Sequence, residues 1–453
     1  MKEIFFGNVA RKKIKEGIDK CVDVVKVSLG HKGRNVLIFN GNTTDIINDG
    51  VSIARAVDVK DNTEQAGIML AKQCASMTNN QVGDGTTTTL VLLQSLLNEL
   101  INDTQLTPPR ELREQIFEST KKVLENLDKG ARKIESIKDI ENIALTSSLD
   151  PKIAKLIAEI YEKLGQDANI IIQETSRDIL ESEIVEGIQF DSRNVALYSD
   201  EEETYEDIPV VVFKEKAEAD NIAEKLRVLT SNGDNEILVI APQWSKDALA
   251  LLVQFKMRGT IKVAAVQNNE VNEEDLVAFG NRATKVIVTK EKTTLVGGNG
   301  NTTEYVKKLK EQYEKEESKF QKELLKKRIS FMAGGIAIIH VGKPTDVARE
   351  ELALKVEDAI NAAKSAYDGG ITIGAGIALK QAAPTGDTEG DRIMRIVCES
   401  PNKQICENAG ETTELQAHVT DSIKVIKSAL TNAVSTATSI LTAEAALINI
   451  DED

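Results

Sequence analysis

The sequence predicts a multidomain protein in which both chain ends build one mainly α domain and an α/β segment is inserted between them. Three observations carry this. At 453 residues the chain exceeds one ordinary domain. Apolar positions recur at helical spacing over the first ~130 residues and again from 390 to 447. Between these regions, short apolar runs alternate with helical stretches, the pattern of an α/β layer.

Residues 9–29 read as a helix stopped by Gly30, and 31–50 as a hairpin with β-branched content and turn residues. Residues 51–77, 86–101 and 110–127 read as further helices. From 131 to 185 the pattern is mixed, ending in the strand-like ANIIIQE and ILESEIVEGI. IPVVVF (208–213), EILVIAP (236–242), IKVAAVQ (261–267) and KVIVTK (285–290) read as short buried strands. Helices at 219–230 and 245–258 separate the first three. Residues 303–331 form a long charged helical stretch, and IAIIHVG and ITIGAG are strands bracketing a helix at 345–367. The tail, 390–447, is helical and rich in Ala and Thr. Gly187 and Gly334–Gly335 are candidate hinges.

Composition narrows the function. The formal charge of −16 and pI near 5.0 repel a phosphate backbone, which argues against nucleic acid as a general partner. No apolar run approaches the ~18–20 residues a bilayer span needs, so no membrane partner is expected. The N-terminal MKEIFFGNVARKKIKEG has neither an apolar signal core nor a small-residue cleavage site, and a cytoplasmic location follows. Cys21, Cys74, Cys398 and Cys406 have no metal-site spacing, and read as small buried residues. His31, His340 and His418 lie near no nucleophile signature.

Three glycine-marked turns remain: SLGHKGRN (28–35), NDGVS (48–52) and GDGTTTT (83–89). No GxxxxGK[ST] loop is present. Thr86–Thr88 offer amides and hydroxyls at a helix N-terminus, and Asp84 offers a hard oxygen for a cation. Plain helix capping explains the same residues. Asp49, Asp358 in KVEDAINAAK and Asp421 are unremarkable one by one.

In combination these turns closely resemble the chaperonin family, the bacterial GroEL-type (group I) members in particular. The blocks follow in family order: FGNVAR (6–11), VKVSLGHKGRNV (25–36), NDGVSIAR (48–55), GDGTTTT, VEGIQFD (185–191), MRGTIKVAAV (257–266), AGGIAIIHVG (333–342), VEDAINAA (356–363) and DSIKVIKSAL (421–430). The resemblance implies an ATPase that forms homo-oligomeric rings and folds non-native polypeptides. It implies an equatorial domain from 1–130 and 369–453, an intermediate domain from 131–186 and 336–368, and an apical domain from 187–335. ATP and Mg²⁺ are the implied cofactors. Leu29, Gly30, Lys32 and Gly33 match the nucleotide turn, Asp84 the Mg²⁺ ligand, and Gly85, Thr86, Thr87 and Thr88 the phosphate cradle. Asp49 and Asp358 match the carboxylates around the attacking water, and Gly374, Gly376 and Asp421 the ribose end. Ile222, Leu226, Leu229, Leu249, Leu252 and Val253 form apolar helix stripes for client binding, and Tyr198 matches a rim aromatic.

The chain also departs from the pattern. Asn48 stands where group I has lysine, His31 where it has proline, and Ala375 replaces the middle glycine of GGG. About two dozen residues are missing after VAAVQ, Gln254 interrupts the apolar rim, and Asn194 stands near a usual tyrosine. The segment NAGETTELQAHVTD is shortened where an adenine-contacting loop belongs, and Thr412 replaces an interface glutamate. These departures fit a shortened, diverged member of the kind a virus could encode, with the ring single or double and use of a co-chaperonin left open. The competing readings are a small-molecule kinase or ATPase with the same turns, and a hydrolysis-impaired scaffold subunit of such a ring.

Overall fold

Helices Gly7–Val25 and Asn62–Val82 cross at two glycines. A Cβ on Gly67 would lie 2.0 Å from the Ile14 carbonyl oxygen, and one on Gly17 1.9 Å from that of Glu64. Only glycine admits so close an approach. The computed structural model describes residues 2–449 apart from 40, 42–43, 102–106, 167, 196–202, 259–260, 317, 319–320, 323, 326–327, 330–331, 333–334 and 411–418. Two compact units result: 1–166 with 172–181 and 340–453, and 167–171 with 182–339.

In the first unit the crossed helices pack with Thr86–Leu100, Pro109–Lys129, Glu389–Ala409 and Ile423–Leu441. Leu93, Leu97 and Ile116 from the first part of the chain share one core with Val397, Leu430 and Leu441 from the last. Every Leu and Val of Thr86–Leu100 is buried, as fits a helix at the centre of a bundle. Ile143, Ala362 and Ala366 form a smaller core that seats helix Asp346–Gly369 against Ile137–Ser148. Strands Lys2–Phe6 and Ala445–Asn449 pair antiparallel, as do Val36–Phe39 and Thr44–Ile47. Among the described residues no helix is long and apolar enough to cross a membrane.

The second unit is built on a mixed sheet. Leu180–Asp191, Lys292–Gly298, Arg282–Val288 and Glu203–Val212 are antiparallel neighbours, and Glu236–Ala241 and Lys262–Gln267 continue in parallel. Both faces are covered. Leu238 and Ile240 enter one core with Phe279 and Leu309, whereas Ile237 and Val239 enter another with Ile222, Leu226 and Leu252. The continuous apolar run EILVIA is what a strand buried on both sides requires.

Several expectations are corrected. The C-terminal helix ends at Leu441, and Ala445–Asn449 is a strand. Strands Lys2–Phe6 and Lys292–Gly298 and helix Glu273–Phe279 were not expected. Gly187 pairs with Val296 mid-strand, and a Cβ there would lie 2.3 Å from Ile336 Cδ1. Gly334 lies outside the described residues. The client stripe fails for three of its members, because Ile222, Leu226 and Leu252 are 0%, 2% and 4% exposed and hold their helices on the sheet. Leu229, Leu249 and Val253 are half-buried. The outer faces of these two helices present Glu224, Lys225, Arg227, Asp247 and Gln254, with Val228 the one exposed large apolar side chain among the described residues there. Tyr198 lies outside the described residues.

Candidate functional site

Asp84 is the middle one of three residues between two helices, and its setting is made by the glycines on either side. Gly83 (φ 67°) ends helix Asn62–Val82 and Gly85 (φ 81°) starts Thr86–Leu100, both in the left-handed region. A Cβ at Gly83 would strike Asn361, and one at Gly85 would strike Val425. Asp84 Oδ1 accepts from the Gly85 amide at 2.5 Å, and Oδ2 from Ser147 Oγ at 3.3 Å. The amides of Thr86, Thr87 and Thr88 open the helix and have no preceding turn to donate to. Thr89 is committed to structure, bonded to Thr78 and the Gly85 carbonyl.

Asp49 caps helix Gly50–Ala56, accepting from Ser52 N at 2.7 Å. A Cβ on Gly50 would lie 2.1 Å from Thr87 Oγ1, so this turn is pressed against the mouth of Thr86–Leu100. Asp358 comes from helix Asp346–Gly369, and Asp421 from strand Thr420–Ser422, paired with Ile371–Ile373. These elements enclose a cavity of about 720 Å³ within the first unit, a size that suits a nucleotide-scale ligand.

Asp49, Asp84, Asp358 and Asp421 all line the cavity, as do Leu29, Gly30, Gly85, Thr86, Thr87, Thr88 and Gly376. Lys32, Gly33 and Gly374 do not. Lys32 is exposed and reaches the Ala409 carbonyl at 3.4 Å. Gly33 closes its turn on Gly30, where a Cβ would meet the Ser28 carbonyl. Gly374 makes room behind the wall for the Asp421 carboxylate, 3.0 Å from where its Cβ would be. Ala375 sits at φ 56°, a left-handed conformation that costs a non-glycine residue on the order of 1 kcal/mol. Its carbonyl is held by Asn402 Nδ2 at 2.9 Å. Sequence reasoning passed over Ser147, whose serine pair carries no pattern, and Glu351 and Lys355, whose spacing from Asp358 does.

The carboxylates keep some surface on the cavity yet are encircled by protein, and their acidities follow. Burial pushes Asp84 up to about 6 and Asp421 up to about 7, with Asp49 adding to the first and Asp84 to the second. Asp358 is held well above the ordinary range by burial, then by Asp84, Asp49 and Glu357. A carboxyl raised in the fold contributes stability at low pH that is lost as pH climbs through its folded value. Asp421→Asn, which keeps the acceptor for the Ala375 amide, should therefore raise the melting temperature near pH 8 by about 2 °C or more and change it little at pH 4. Equal gains at both pH values would show that ionisation is not the cause.

The family model for the TCP-1/cpn60 chaperonin family matches residues 22–385, most of the chain. The chain belongs to this chaperonin family. The chaperonin fold extends end to end. The chaperonin gp146 from the bacteriophage EL 2 (Pseudomonas aeruginosa), crystallised in the presence of ATP-BeFx, matches in one crystal form with a TM-score of 0.73 at 17% identity, over 99% of each chain. A second crystal form of that chaperonin matches at 0.67 and 18%, again over 99% of each chain. Read from its glycine turns, the chain is a diverged chaperonin, and the family match bears that out.

Proposed function

We propose that this chaperonin binds ATP with magnesium in the cavity of its first unit, hydrolyses it, and uses the turnover to assist the folding of non-native polypeptides. The convergence of Asp49, Asp84, Asp358 and Asp421 around the open amides of Thr86–Thr88 carries the reading. Free amides at a helix N-terminus suit phosphate. Four carboxylates on the same wall would repel it, unless a cation comes with it. Among the described residues no three His, Cys, Asp or Glu side chains converge to hold an ion by themselves. That suits magnesium, which rests on one or two carboxylates and on phosphate oxygens. Asp84 is the residue that would hold it, and bound magnesium would supply charge neutralisation at the phosphates. Its Ser147 hydrogen bond keeps one oxygen oriented beforehand.

Asp358, held protonatable by its buried anionic surroundings, is suited to orient a water and accept its proton. Asp49 spends its oxygens on the helix cap and adds negative charge beside that water. Asp421 and Gly376 form the far end, suited to a ribose. In domain terms we assign 1–130 and 369–453 as equatorial, 131–186 and 336–368 as intermediate, and 187–335 as apical.

Ring assembly is supported by two small sheets with open edges. Ile4, Phe6 and Leu447 on one, and Leu37, Phe39 and Ile46 on the other, are 45–68% exposed. Apolar side chains on strands whose outer edges are open call for a partner, and a second copy supplies the same edges. The near end-to-end match with the phage chaperonin supports a virus-encoded member, to which we assign the host cytoplasm as location. The purified chain should form rings in electron micrographs and raise the yield of a denatured client severalfold with ATP over ADP. Rings without nucleotide-dependent refolding would favour a scaffold subunit.

A further inference from the structure

Charge along the cavity wall is one-sided. Asp49, Asp84, Glu351, Asp358 and Asp421 all line it, and Lys355 is the only lysine or arginine among the described residues that does. Asn48, at the turn into Gly50–Ala56, brings no charge and donates to Asn35 Oδ1 at 3.2 Å. Glu351, Lys355 and Asp358 are spaced i, i+4, i+7 on helix Asp346–Gly369, so they share the face turned to the cavity. Lys355 Nζ donates to Glu351 Oε1 at 2.7 Å, with the two side chains 36% and 27% exposed. An i,i+4 pair in so wet a position adds little to stability, and the flexible lysine stem can move its ammonium to a stronger anion.

We infer that Lys355 is the cation that meets the terminal phosphate of a nucleoside triphosphate in this cavity, and that Glu351 holds it back until that phosphate arrives. The inference rests on the nucleotide-binding reading above. Its geometry is set by the helix: Lys355 lies one turn from Asp358, and therefore at the end of the cavity where a water would be oriented towards the last phosphoryl group. A diphosphate has no group there. Lys355 thereby senses the length of the phosphate chain, and the Glu351 pair sets how readily it responds.

Calorimetric titration of the full chain with ATP and with ADP, each with magnesium, tests this. Lys355→Gln should weaken ATP about tenfold or more while leaving ADP within about twofold. Lys355→Arg should restore most of the loss, and Glu351→Gln should tighten ATP and leave ADP unchanged. Melting temperatures verify that each variant is folded, and Glu351→Gln keeps the test alive should Lys355→Gln not fold. Equal weakening of both nucleotides by Lys355→Gln, or no weakening, overturns the inference, as does unchanged ATP affinity in Glu351→Gln. If the unmodified chain binds neither nucleotide, the nucleotide-binding reading falls first and takes this one with it.

Discussion

Replacing Asp358 with alanine is expected to lower ATP hydrolysis by about 10²–10⁴-fold while nucleotide binding persists. Two properties of Asp358 set this size. Burial and the neighbouring Asp84 and Asp49 raise its proton affinity, which a general base acting near neutral pH needs. Its helix is seated on Ile137–Ser148 by Ile143, Ala362 and Ala366, so truncation should leave the position of the backbone unchanged. The loss should then appear in kcat. Removing one of several crowded carboxylates should also tighten nucleotide binding slightly, the reverse of what a damaged pocket gives. Steady-state turnover, nucleotide titration and a melting curve on one preparation separate these outcomes, and wild-type turnover in the variant would falsify the assignment of Asp358 as base.

Gly67→Ala should be among the most damaging single methyl additions in the first unit. Its Cβ would lie 2.0 Å from the Ile14 carbonyl oxygen, a backbone atom that cannot swing aside. The crossed helices must separate, and overpacking of that kind costs on the order of 3 kcal/mol. The effect should reach the site, because helix Asn62–Val82 ends at Gly83 and delivers Asp84 to the cavity. Chemical denaturation should show a lower midpoint, and ATP hydrolysis should fall with it. Unchanged stability would mean that the helices have room to spare.

Much of this was legible in the chain because local chemistry and global fold agree. The helix Thr86–Leu100 was readable from the glycine before it and the apolar run within it. The parallel strands Glu236–Ala241 and Lys262–Gln267 were readable from continuous β-branched and alanine runs. What escaped was set by distant partners. Lys2–Phe6 is a strand only because Ala445–Asn449 pairs with it, and neither stretch alternates clearly enough to announce itself. Lys292–Gly298 takes its place from neighbours on both sides. The stripes in the helices Ala219–Ser231 and Lys246–Arg258 were visible, but periodicity gives a face and not what covers it; here much of it is covered by the sheet. The site was legible as turns, and its electrostatics were not, since Asp84, Asp358 and Asp421 become unusual only when brought to one cavity.

The shared core of the first unit has a consequence for vectorial synthesis. Leu127 and its predecessors must wait for Ala378 and its successors, a gap of roughly 250 residues in the chain. At about 5–20 residues per second, that is on the order of 12–50 s during which half a hydrophobic interior has no counterpart. The inserted second unit is nearly contiguous and can mature on the ribosome in that interval. The nascent subunit thus itself exposes, for tens of seconds, the kind of surface that chaperonins recognise. Its own maturation is then a kinetic competition between late long-range closure and capture by chaperones already present.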